Sequence, residues 1–396
     1  MDQNPHLLTG HLKLMMFIPT NIFSPPPYDG LLVSRNAVGG WPCSGQYTEA
    51  QRFRFLREGA REFLRFPYKG YADDPNKYPI MGDCGAYSYI QADSPPVSNT
   101  EIIEYYAQCG FTHGVSVDHI NTQQNDSWDD SRRCPSEISS RTEFTHKSAI
   151  EFIKLCRKNN VSFQPIGVIQ SWGPRSAAGY ARELVGNGYA YIGLGGLTMH
   201  STSRIYDIVS EVRSKIPDDV CIHLFGFSRL GSLEAFNGLN ITSFDSTSPL
   251  IQAFKDDVNN YFSEHEHYTA IRIPQVIETS VKKRIQSGIL NQEDVQRAEN
   301  AALSAVRKYA QREICLSKAL ENLQTYEDLL FSSRDYSEAY ARTLSERPWE
   351  KCDCRVCKEV GVEVIIFRGF NRNKRRGFHN LNYSYQQLKK ERDTMT

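Results

Sequence analysis

The sequence has 396 residues, of which 46 are basic and 46 acidic, so its formal net charge at pH 7 is zero. A balanced charge excludes a chain that binds nucleic acid through overall basicity, and any basic surface has to be local. Hydrophobic residues make up 40% of the chain, but no uninterrupted apolar stretch is long enough to span a membrane, so we expect no membrane partner.

The amino-terminal residues and the cysteine usage indicate a reducing compartment. The first residues, "MDQNPHLLTGHLKLMMFIP", lack the basic region and the small-residue cleavage site of a secretory signal. The chain has 10 cysteines, and without such a signal they are expected to be reduced thiols. We therefore expect a cytoplasmic protein.

Short apolar runs that are rich in β-forming residues alternate with helical patterns along the first part of the chain. We predict strands at residues 12–18, 30–34, 78–83, 112–118, 163–170, 189–195, 220–226 and 241–245. We predict helices at residues 48–66, 100–110, 146–160, 174–188 and 203–216. About eight strands with intervening helices are typical of an α/β fold of the (β/α)8 TIM-barrel type. A doubly wound sheet is the main alternative, since alternation alone does not close a barrel.

Polar residues and glycines stand at the carboxyl ends of these predicted strands. They are Asp83, Asp118, Gln170, Gly195, Gly196, Gly226 and Asp245. A single Asp in such a place is more readily explained as the cap of the following helix. Because the carboxyl ends of barrel strands carry the active site, the whole series is better explained by one pocket of carboxylates, an amide and bare backbone.

Two carboxylates at a barrel mouth suit a displacement at an anomeric carbon. One attacks or stabilises the sugar C1′, and the other handles the proton of the leaving group. Glycines at a strand end present backbone N–H groups to a carbonyl oxygen. Gln170 and Asp118 have the groups to read the amide-like edge of a purine, and Tyr87 and Phe225 can enclose a flat ring. The residues predict a pocket for a planar heterocycle attached to a sugar.

The stretch "KCDCRVCK", residues 351–358, indicates a metal site downstream of the barrel. Cys352, Cys354 and Cys357 supply three ligands on a tight loop, and His379, which opens a helix-like segment, is the next histidine along the chain. Four such ligands close a tetrahedral Zn²⁺ site and leave no position for substrate, so the zinc is expected to be structural. A chance cluster of surface cysteines is the alternative.

The sequence predicts three domains. We assign residues 1–275 to the TIM barrel, 276–345 to a charged helical layer packed on it, and 346–396 to a zinc-binding subdomain with a basic C-terminal helix. Between Arg368 and Arg392, basic residues are interleaved with aromatic ones. This pattern suits a phosphate-binding surface and, equally, an ordinary charged surface helix.

The motifs, in this order, resemble those of the tRNA-guanine transglycosylase superfamily. "GDCGAYSY" is similar to its Asp-Ser-Gly-Gly-Phe/Tyr-Gln motif, "GVIQS" to its Gly-Ile-Val-Gln-Gly, and "GLGGLTMH" to its Gly-Gly-Leu segment. "HLFG" resembles Tyr-Leu-Met-Gly, "SFDSTSP" the Phe-Asp-Cys stretch of the nucleophile, and "CDCRVC" followed by "HNL" the zinc motif. The matching residues are Asp83, Tyr87, Gln170, Gly195, Gly196, Leu197, Asp245, Cys352, Cys354, Cys357 and His379.

The resemblance implies a role for each matching residue of the pocket. Asp245 would attack C1′ of a nucleotide and expel guanine, leaving a covalent intermediate, and Asp83 would act as general acid and base. Asp118 would bind the N1/N2 edge of the base, Gln170 and the Gly196 amide would bind its O6, and Tyr87 would stack on it. No energy source is needed, because the bonds broken and formed are both N-glycosidic. A target base in a duplex has to leave its stack, at a cost of a few kcal/mol.

Departures from the superfamily motifs bear on the substrate. The basic Pro-Thr-Arg stretch after the nucleophile is replaced by "STSPLIQAF", and "TMHS" stands where the bacterial tRNA enzymes have a Glu after Gly-Gly-Leu. These changes affect polynucleotide contacts and the pocket for the 7-substituent. This pattern of departures resembles that of the DpdA branch, whose members insert 7-deazaguanine bases into DNA in bacteria or phage-infected hosts. A cyano-bearing base fits the missing carboxylate better than an aminomethyl one, whose ammonium would pair with it.

The resemblance therefore implies a DNA-guanine transglycosylase that inserts a 7-deazaguanine base, with 7-cyano-7-deazaguanine preferred. A tRNA enzyme with the same mechanism is the first alternative, and the missing Pro-Thr-Arg argues against it. A hydrolytic glycosylase and a non-catalytic binding subunit are further alternatives, although the retention of Asp83 and Asp245 argues against the subunit. A helper protein or a homodimer is an open expectation.

Overall fold

The computed structural model describes residues 6–10, 23, 25–40, 45–66, 78–129, 133–227, 235–264, 266–330 and 335–395. Its contacts divide the chain into two compact units. The barrel unit comprises Met1–Thr247 and Gln387–Thr396, and the carboxyl-terminal unit comprises Ser248–Gln386.

Eight parallel strands of the barrel unit form a closed barrel. They are β1 His6–Gly10, β2 Gly30–Ser34, β3 Ile80–Asp83, β4 His113–Val115, β5 Gln164–Ile169, β6 Tyr191–Leu194, β7 Cys221–Leu224 and β8 Ser243–Ser246. The first strand pairs with the last one, so the barrel closes: Leu8 of β1 lies opposite Gly30 of β2 on one side and Asp245 of β8 on the other. The predicted TIM barrel is confirmed, and a closed barrel excludes the doubly wound sheet.

The helices of the barrel unit largely follow the predicted spans. They are α1 Arg35–Val38, α2 Glu49–Glu58, α3 Ala60–Phe63, α4 Asn99–Cys109, α5 Ser136–Lys158, α6 Pro174–Gly186 and α7 Thr202–Arg213. The helix predicted at 48–66 is split, because Gly59 takes φ 81° and ψ 163°, a conformation outside the helical region, between α2 and α3. Capping boxes begin α2 at Thr48 and α4 at Ser98.

The first barrel strand differs from the prediction. The strand predicted at 12–18 lies outside the described residues, and β1 is the preceding segment His6–Gly10. The other predicted strands coincide with β2 to β8, with ends trimmed by up to a few residues. Asp118 consequently follows the end of β4 rather than ending it.

An apolar layer fills the barrel interior. It consists of Leu32, Met81, Val115, Ile166, Val168 and Tyr191, with Cys221 and Phe225 packed against it. On the other side of β3 and β4, the buried ring of Tyr106 lies directly on the strand backbone: a Cβ at Gly82 or Gly114 would come within 2.4 or 2.6 Å of it. Tyr106 belongs to α4 and its hydroxyl donates to the Val115 carbonyl at 3.0 Å. These contacts fix α4 against the two strands that lead to Asp83 and Asp118.

The carboxyl-terminal unit is mainly helical. It contains α8 Ser248–Lys255, α9 Thr279–Gln286, α10 Gln292–Ala310, α11 Leu316–Leu329, α12 Ser337–Glu346, α13 Pro348–Lys351, α14 Arg355–Val360 and most of α15 Gly369–Met395. A short parallel pair joins β9 Ile271–Arg272 to β10 Ile366–Phe367. The helical character predicted for 276–345 agrees with α9 to α12. The finer three-domain division at 275 and 345 is not tested by the two-unit separation and stays a prediction.

Among the residues that the structure describes, no helix combines the length and apolar character needed to cross a bilayer.

Candidate active site and metal centre

Asp83 ends β3, half-buried, with its carboxylate held by two local donors. The Gly85 N–H donates to Oδ2 at 3.1 Å, and the Ser34 side chain, aligned with Asp83 across β2 and β3, donates to it as well. Burial, followed by the charges of Asp118 and Asp245, raises the pKa of Asp83 to about 7, and the two hydrogen bonds limit this rise. A carboxyl group that titrates near neutrality suits general acid and base catalysis.

The segment that carries Asp118 leaves β4 as an irregular but firmly held chain. The Asn99 side chain of α4 accepts from the Val117 N–H at 3.3 Å. On α5, the Thr145 hydroxyl accepts from the His119 N–H at 3.0 Å, and the Arg141 guanidinium donates to the Ile120 carbonyl at 3.0 Å. Because neighbouring helices satisfy these backbone groups, the position of Asp118 is fixed without regular secondary structure.

Two buried side chains donate to the Asp118 carboxylate. Gln170 Nε2 donates to Oδ2 at 2.7 Å, and the Cys84 thiol donates to Oδ1 at 3.2 Å. Burial raises the pKa of Asp118, and these two hydrogen bonds oppose the rise. Burial, followed by the charges of Asp118 and Asp83, raises the pKa of Cys84 well above its usual value, so the thiol keeps the hydrogen that it donates. Cys84 is fully buried and supports Asp118 from behind.

The glycine pair after β6 lies against the Gln170 amide. A Cβ at Gly195 would come within 2.3 Å of Gln170 Nε2, and one at Gly196 within 2.1 Å of the Asn121 carbonyl oxygen. Gly196 also has φ +72°, which disfavours any other residue. The Asn121 N–H donates to Gln170 Oε1 at 3.2 Å, so the amide is oriented with its nitrogen toward Asp118. Gly195 N–H is used by the Ile169 carbonyl.

The Gly196 N–H has no acceptor within the part of the chain that the structure describes. Gly196 adjoins the Gln170 amide, since a Cβ at Gly196 would come within 3.0 Å of Gln170 Oε1, and the Nε2 of the same amide donates to Asp118. The Gly196 N–H is thus a second donor near this amide, and the Asp118 carboxylate is the neighbouring acceptor. A donor pair next to a carboxylate complements a carbonyl oxygen that adjoins N–H groups on one edge of a ring.

Asp245 lies within β8, and its carboxylate contacts one residue of β7 and the second residue after that strand. Oδ1 accepts from the Gly226 N–H at 2.8 Å and lies 3.3 Å from His223 Nε2. The side chain remains 13% exposed. One carboxylate oxygen of Asp245 thus has two close partners, the Gly226 N–H and His223 Nε2, one residue before the end of β8.

His223, Ser243 and Tyr191 continue this arrangement into the barrel interior. His223 Nδ1 is 2.6 Å from Ser243 Oγ, and Ser243 Oγ is 2.5 Å from the Tyr191 hydroxyl. All three side chains are buried. Our sequence reasoning did not select them. The alternation of side chains along a strand was the available signal, since Ser243 shares a face with Asp245 and is aligned with His223 across β7 and β8.

The residues predicted to enclose the base occupy different depths. Tyr87 is 64% exposed, and its hydroxyl is 3.2 Å from that of Thr198, which follows the glycine pair. Phe225 is half-buried, and its ring lies 4.4 Å from the His223 ring in an edge-to-face arrangement. Leu197 is buried. Their part in binding stays a prediction.

The four predicted metal ligands lie together in the carboxyl-terminal unit. The ligand atoms of Cys352, Cys354, Cys357 and His379 all lie within 4.8 Å of one another. The distances from His379 Nδ1 to the three sulfurs are 3.5, 3.4 and 3.4 Å. A tetrahedral zinc with ordinary Zn–S and Zn–N bonds separates these atoms by about 3.5 Å. The cluster has the ligands and the spacing to bind a metal ion.

Contacts around the cluster orient its histidine. His379 lies inside α15, which begins at Gly369, and so does not open the helix as predicted. Its Nε2 is 2.8 Å from the Phe262 carbonyl oxygen, which leaves Nδ1 for a metal. The Tyr261 ring stacks on the imidazole with centroids 4.0 Å apart, and the Cys357 N–H donates to Cys354 Sγ at 3.4 Å.

Part of the basic tail is engaged within the carboxyl-terminal unit. Arg368 and Arg372 form ion pairs with Glu299 and Glu363 at 2.5 and 2.7 Å. Arg376 is fully buried. These guanidinium groups serve internal contacts, and a phosphate-binding surface on the tail stays a prediction.

Comparison with known proteins gives a near full-length relative. No protein-family model matches the chain. The chain is 37% identical over 379 residues to a protein of Salmonella montevideo named DNA-guanine transglycosylase, and the alignment covers 93% of this chain and 88% of that protein. Similarity of this extent shows that the two proteins belong to one family.

Proposed function

The chain belongs to the DNA-guanine transglycosylase family, whose members are guanine-exchanging pentosyltransferases, and from this premise we propose that it replaces guanine in DNA with a 7-deazaguanine base. The observation that carries the choice of base is the donor pair of Gln170 Nε2 and Gly196 N–H beside the Asp118 carboxylate. Guanine presents an O6 acceptor next to its N1–H and N2–H groups, and 7-deazaguanines keep this edge. Adenine presents a donor where O6 would be, so it meets donor against donor.

In the first half of the exchange, a carboxylate oxygen of Asp245 attacks C1′ of the target nucleotide. A C1′–O bond forms, the C1′–N9 bond breaks, and its electron pair leaves with guanine. Asp83, with a pKa near 7, gives its proton to the departing base. Asp118, Gln170 Nε2 and the Gly196 N–H hold the edge of the base, and Tyr87 covers its face.

In the second half, the incoming base takes the place of guanine on the same edge. Its N9 attacks C1′, the C1′–O bond breaks, and the electron pair returns to the Asp245 carboxylate. Asp83, now ionised, takes the N9 proton and is ready for the next cycle. One N-glycosidic bond replaces another, so the cycle needs no further reactant.

We propose 7-cyano-7-deazaguanine as the incoming base. The segment after Gly196, "LTMHS", has no carboxylate to pair with an ammonium group, so a neutral nitrile is better accommodated than an aminomethyl group.

We also propose that the cysteine and histidine cluster binds a structural Zn²⁺. Three thiolates and an imidazole fill a tetrahedral shell, so such an ion has no position for substrate. Cys352, Cys354, Cys357 and His379 would hold it, and the Phe262 carbonyl would fix the imidazole.

Base exchange tests the proposal directly. Purified protein is given labelled 7-cyano-7-deazaguanine or labelled guanine, with duplex DNA and tRNA in parallel tubes. We expect label in DNA only, and none with Asp245→Asn. Asp207→Asn is the matched control, because Asp207 is an exposed carboxylate on α7 of the same unit and should leave exchange unchanged.

Three other results would contradict the proposal. Label in tRNA alone would favour the tRNA enzyme. Guanine released from DNA without insertion of label would favour a hydrolytic glycosylase. No reaction with either nucleic acid would favour a non-catalytic binding subunit. Activity of the purified chain alone would exclude a required helper protein.

A further inference from the structure

The two carboxylate oxygens of Asp245 have different contacts. Gly226 N–H and His223 Nε2 both approach Oδ1, at 2.8 and 3.3 Å. Within the described residues, Oδ2 receives no hydrogen bond. The oxygen with unshared lone pairs is the better nucleophile, so this asymmetry distinguishes an anchored oxygen from an attacking one.

The direction of the hydrogen bonds behind His223 follows from what each group can do. When the Asp245 carboxylate is ionised it only accepts, so Nε2 carries a hydrogen toward it, and in this Nε2–H tautomer Nδ1 is the acceptor. Ser243 therefore donates to Nδ1 and accepts from the Tyr191 hydroxyl. Both imidazole nitrogens are engaged in this buried chain, which fixes the tautomer and the orientation of the ring.

We propose that His223 is a positioning residue that reserves Asp245 Oδ2 for attack and stabilises Oδ1 when the carboxylate is released. This inference deepens the proposed function and rests on its covalent step. Charge on the carboxylate is lost when the C1′–Oδ2 bond forms and returns when that bond breaks. A donor on Oδ1 therefore favours the second half of the exchange over the first.

Removal of this donor should shift the balance between free enzyme and covalent intermediate. The lost hydrogen bond stabilises the ionised carboxylate more than it stabilises the ester, because only the carboxylate is charged. The intermediate should then accumulate, and its transfer to the incoming base should slow roughly 10- to 100-fold, as expected for a hydrogen bond to a charged group. A residue that merely supports the fold would lower both half-reactions together.

Two variants separate the roles of the two imidazole nitrogens. His223→Gln can place an amide N–H near the Nε2 position, toward Asp245, whereas His223→Asn can keep only an amide oxygen near the Nδ1 position, where it accepts from Ser243. The readouts are guanine release and label insertion under single turnover, and the fraction of protein bound covalently to DNA at steady state. We expect the covalent fraction to rise in His223→Asn and to return toward the wild-type value in His223→Gln.

A third variant guards against misfolding at a buried site. Ser243→Ala leaves His223 in place but removes the donor that fixes its tautomer, and it should shift the covalent fraction in the same direction by a smaller factor. Equal slowing of both half-reactions in His223→Asn and His223→Gln, or an unchanged covalent fraction in all three variants, would overturn the inference. If wild-type protein exchanges bases with no covalent species, the covalent step of the proposed function fails, and the inference fails with it.

Discussion

At Asp83, burial and the neighbouring carboxylates place the pKa at about 7, where a single group can give a proton and take one back. Burial also raises the pKa of Asp118, and the hydrogen bonds from Cys84 and Gln170 oppose this rise. In the proposed mechanism the two carboxyl groups have different tasks: Asp83 would exchange protons, and Asp118 would accept hydrogen bonds from the base.

This assignment predicts opposite pH dependences for the two halves of the exchange. Guanine release needs protonated Asp83, so its rate should fall about tenfold per unit as the pH rises above the group's pKa of about 7. Insertion of the incoming base needs ionised Asp83 and should slow as the pH falls below that value. Single-turnover rates between pH 5 and 9 measure both, with the range chosen to bracket the pKa at about 7.

Asp83→Asn is the control for this prediction. It should remove both pH dependences and slow both halves by about 10²- to 10⁴-fold, the usual contribution of a general acid or base. Parallel pH profiles for release and insertion in wild-type protein would contradict the role of Asp83.

At the same scale, sequence reasoning reached the groups that stand at strand ends and missed those that support them. Asp83, Gln170 and Asp245 are visible because a polar residue interrupts or follows an apolar run. His223 and Ser243 lie inside short strands, and their significance comes from the pairing of β7 with β8, which no local pattern encodes.

Among the elements, α14 and α15 depend on the cluster that joins them. Cys354 caps α14, Cys357 lies in its first turn, and His379 comes from α15. A metal held by these ligands would link α14 to α15. This local spacing of cysteines is why the metal site could be predicted from sequence, whereas the stacking of Tyr261 on His379 could not.

Cys354→Ser should lower the zinc content from about one ion per chain to well below that value, because a serine hydroxyl can still cap the helix but is a poor zinc ligand. Binding of a structural zinc contributes to folding, so the carboxyl-terminal unit should also become more susceptible to protease. Elemental analysis and limited proteolysis measure these effects. Cys315→Ser, at an exposed thiol of the same unit, should change neither. Full zinc content in Cys354→Ser would contradict the site.

The strand elements show a further limit of sequence reasoning. β1 is the short segment "HLLTG", and it is a strand because its backbone pairs with both β2 and β8. Its few apolar residues give a weaker local pattern than those at 12–18. The segment around Asp118 is likewise held by α4 and α5 rather than by a strand, which the strand predicted at 112–118 did not anticipate.

For the whole molecule, the closed barrel determines which residues meet. Parallel strands bring their carboxyl ends to one face, so Asp83, Gln170, Gly196 and Asp245 converge although they lie far apart in the sequence. The fold could be predicted because alternation and strand ends are repeated along the chain. The choice of polynucleotide could not, since a formal net charge of zero and a basic tail used partly for internal ion pairs give no global signal.

The proposed role of Asp245 is to hold C1′ of the nucleotide covalently between the departure of guanine and the arrival of the incoming base. It is tested most directly by incubating the protein with guanine-containing duplex DNA, removing released guanine, and identifying the protein fragment that remains bound to DNA by mass spectrometry. We predict an ester to Asp245, discharged on addition of 7-cyano-7-deazaguanine and absent from Asp245→Asn. An adduct on another residue, or base exchange with no adduct at all, would contradict the account.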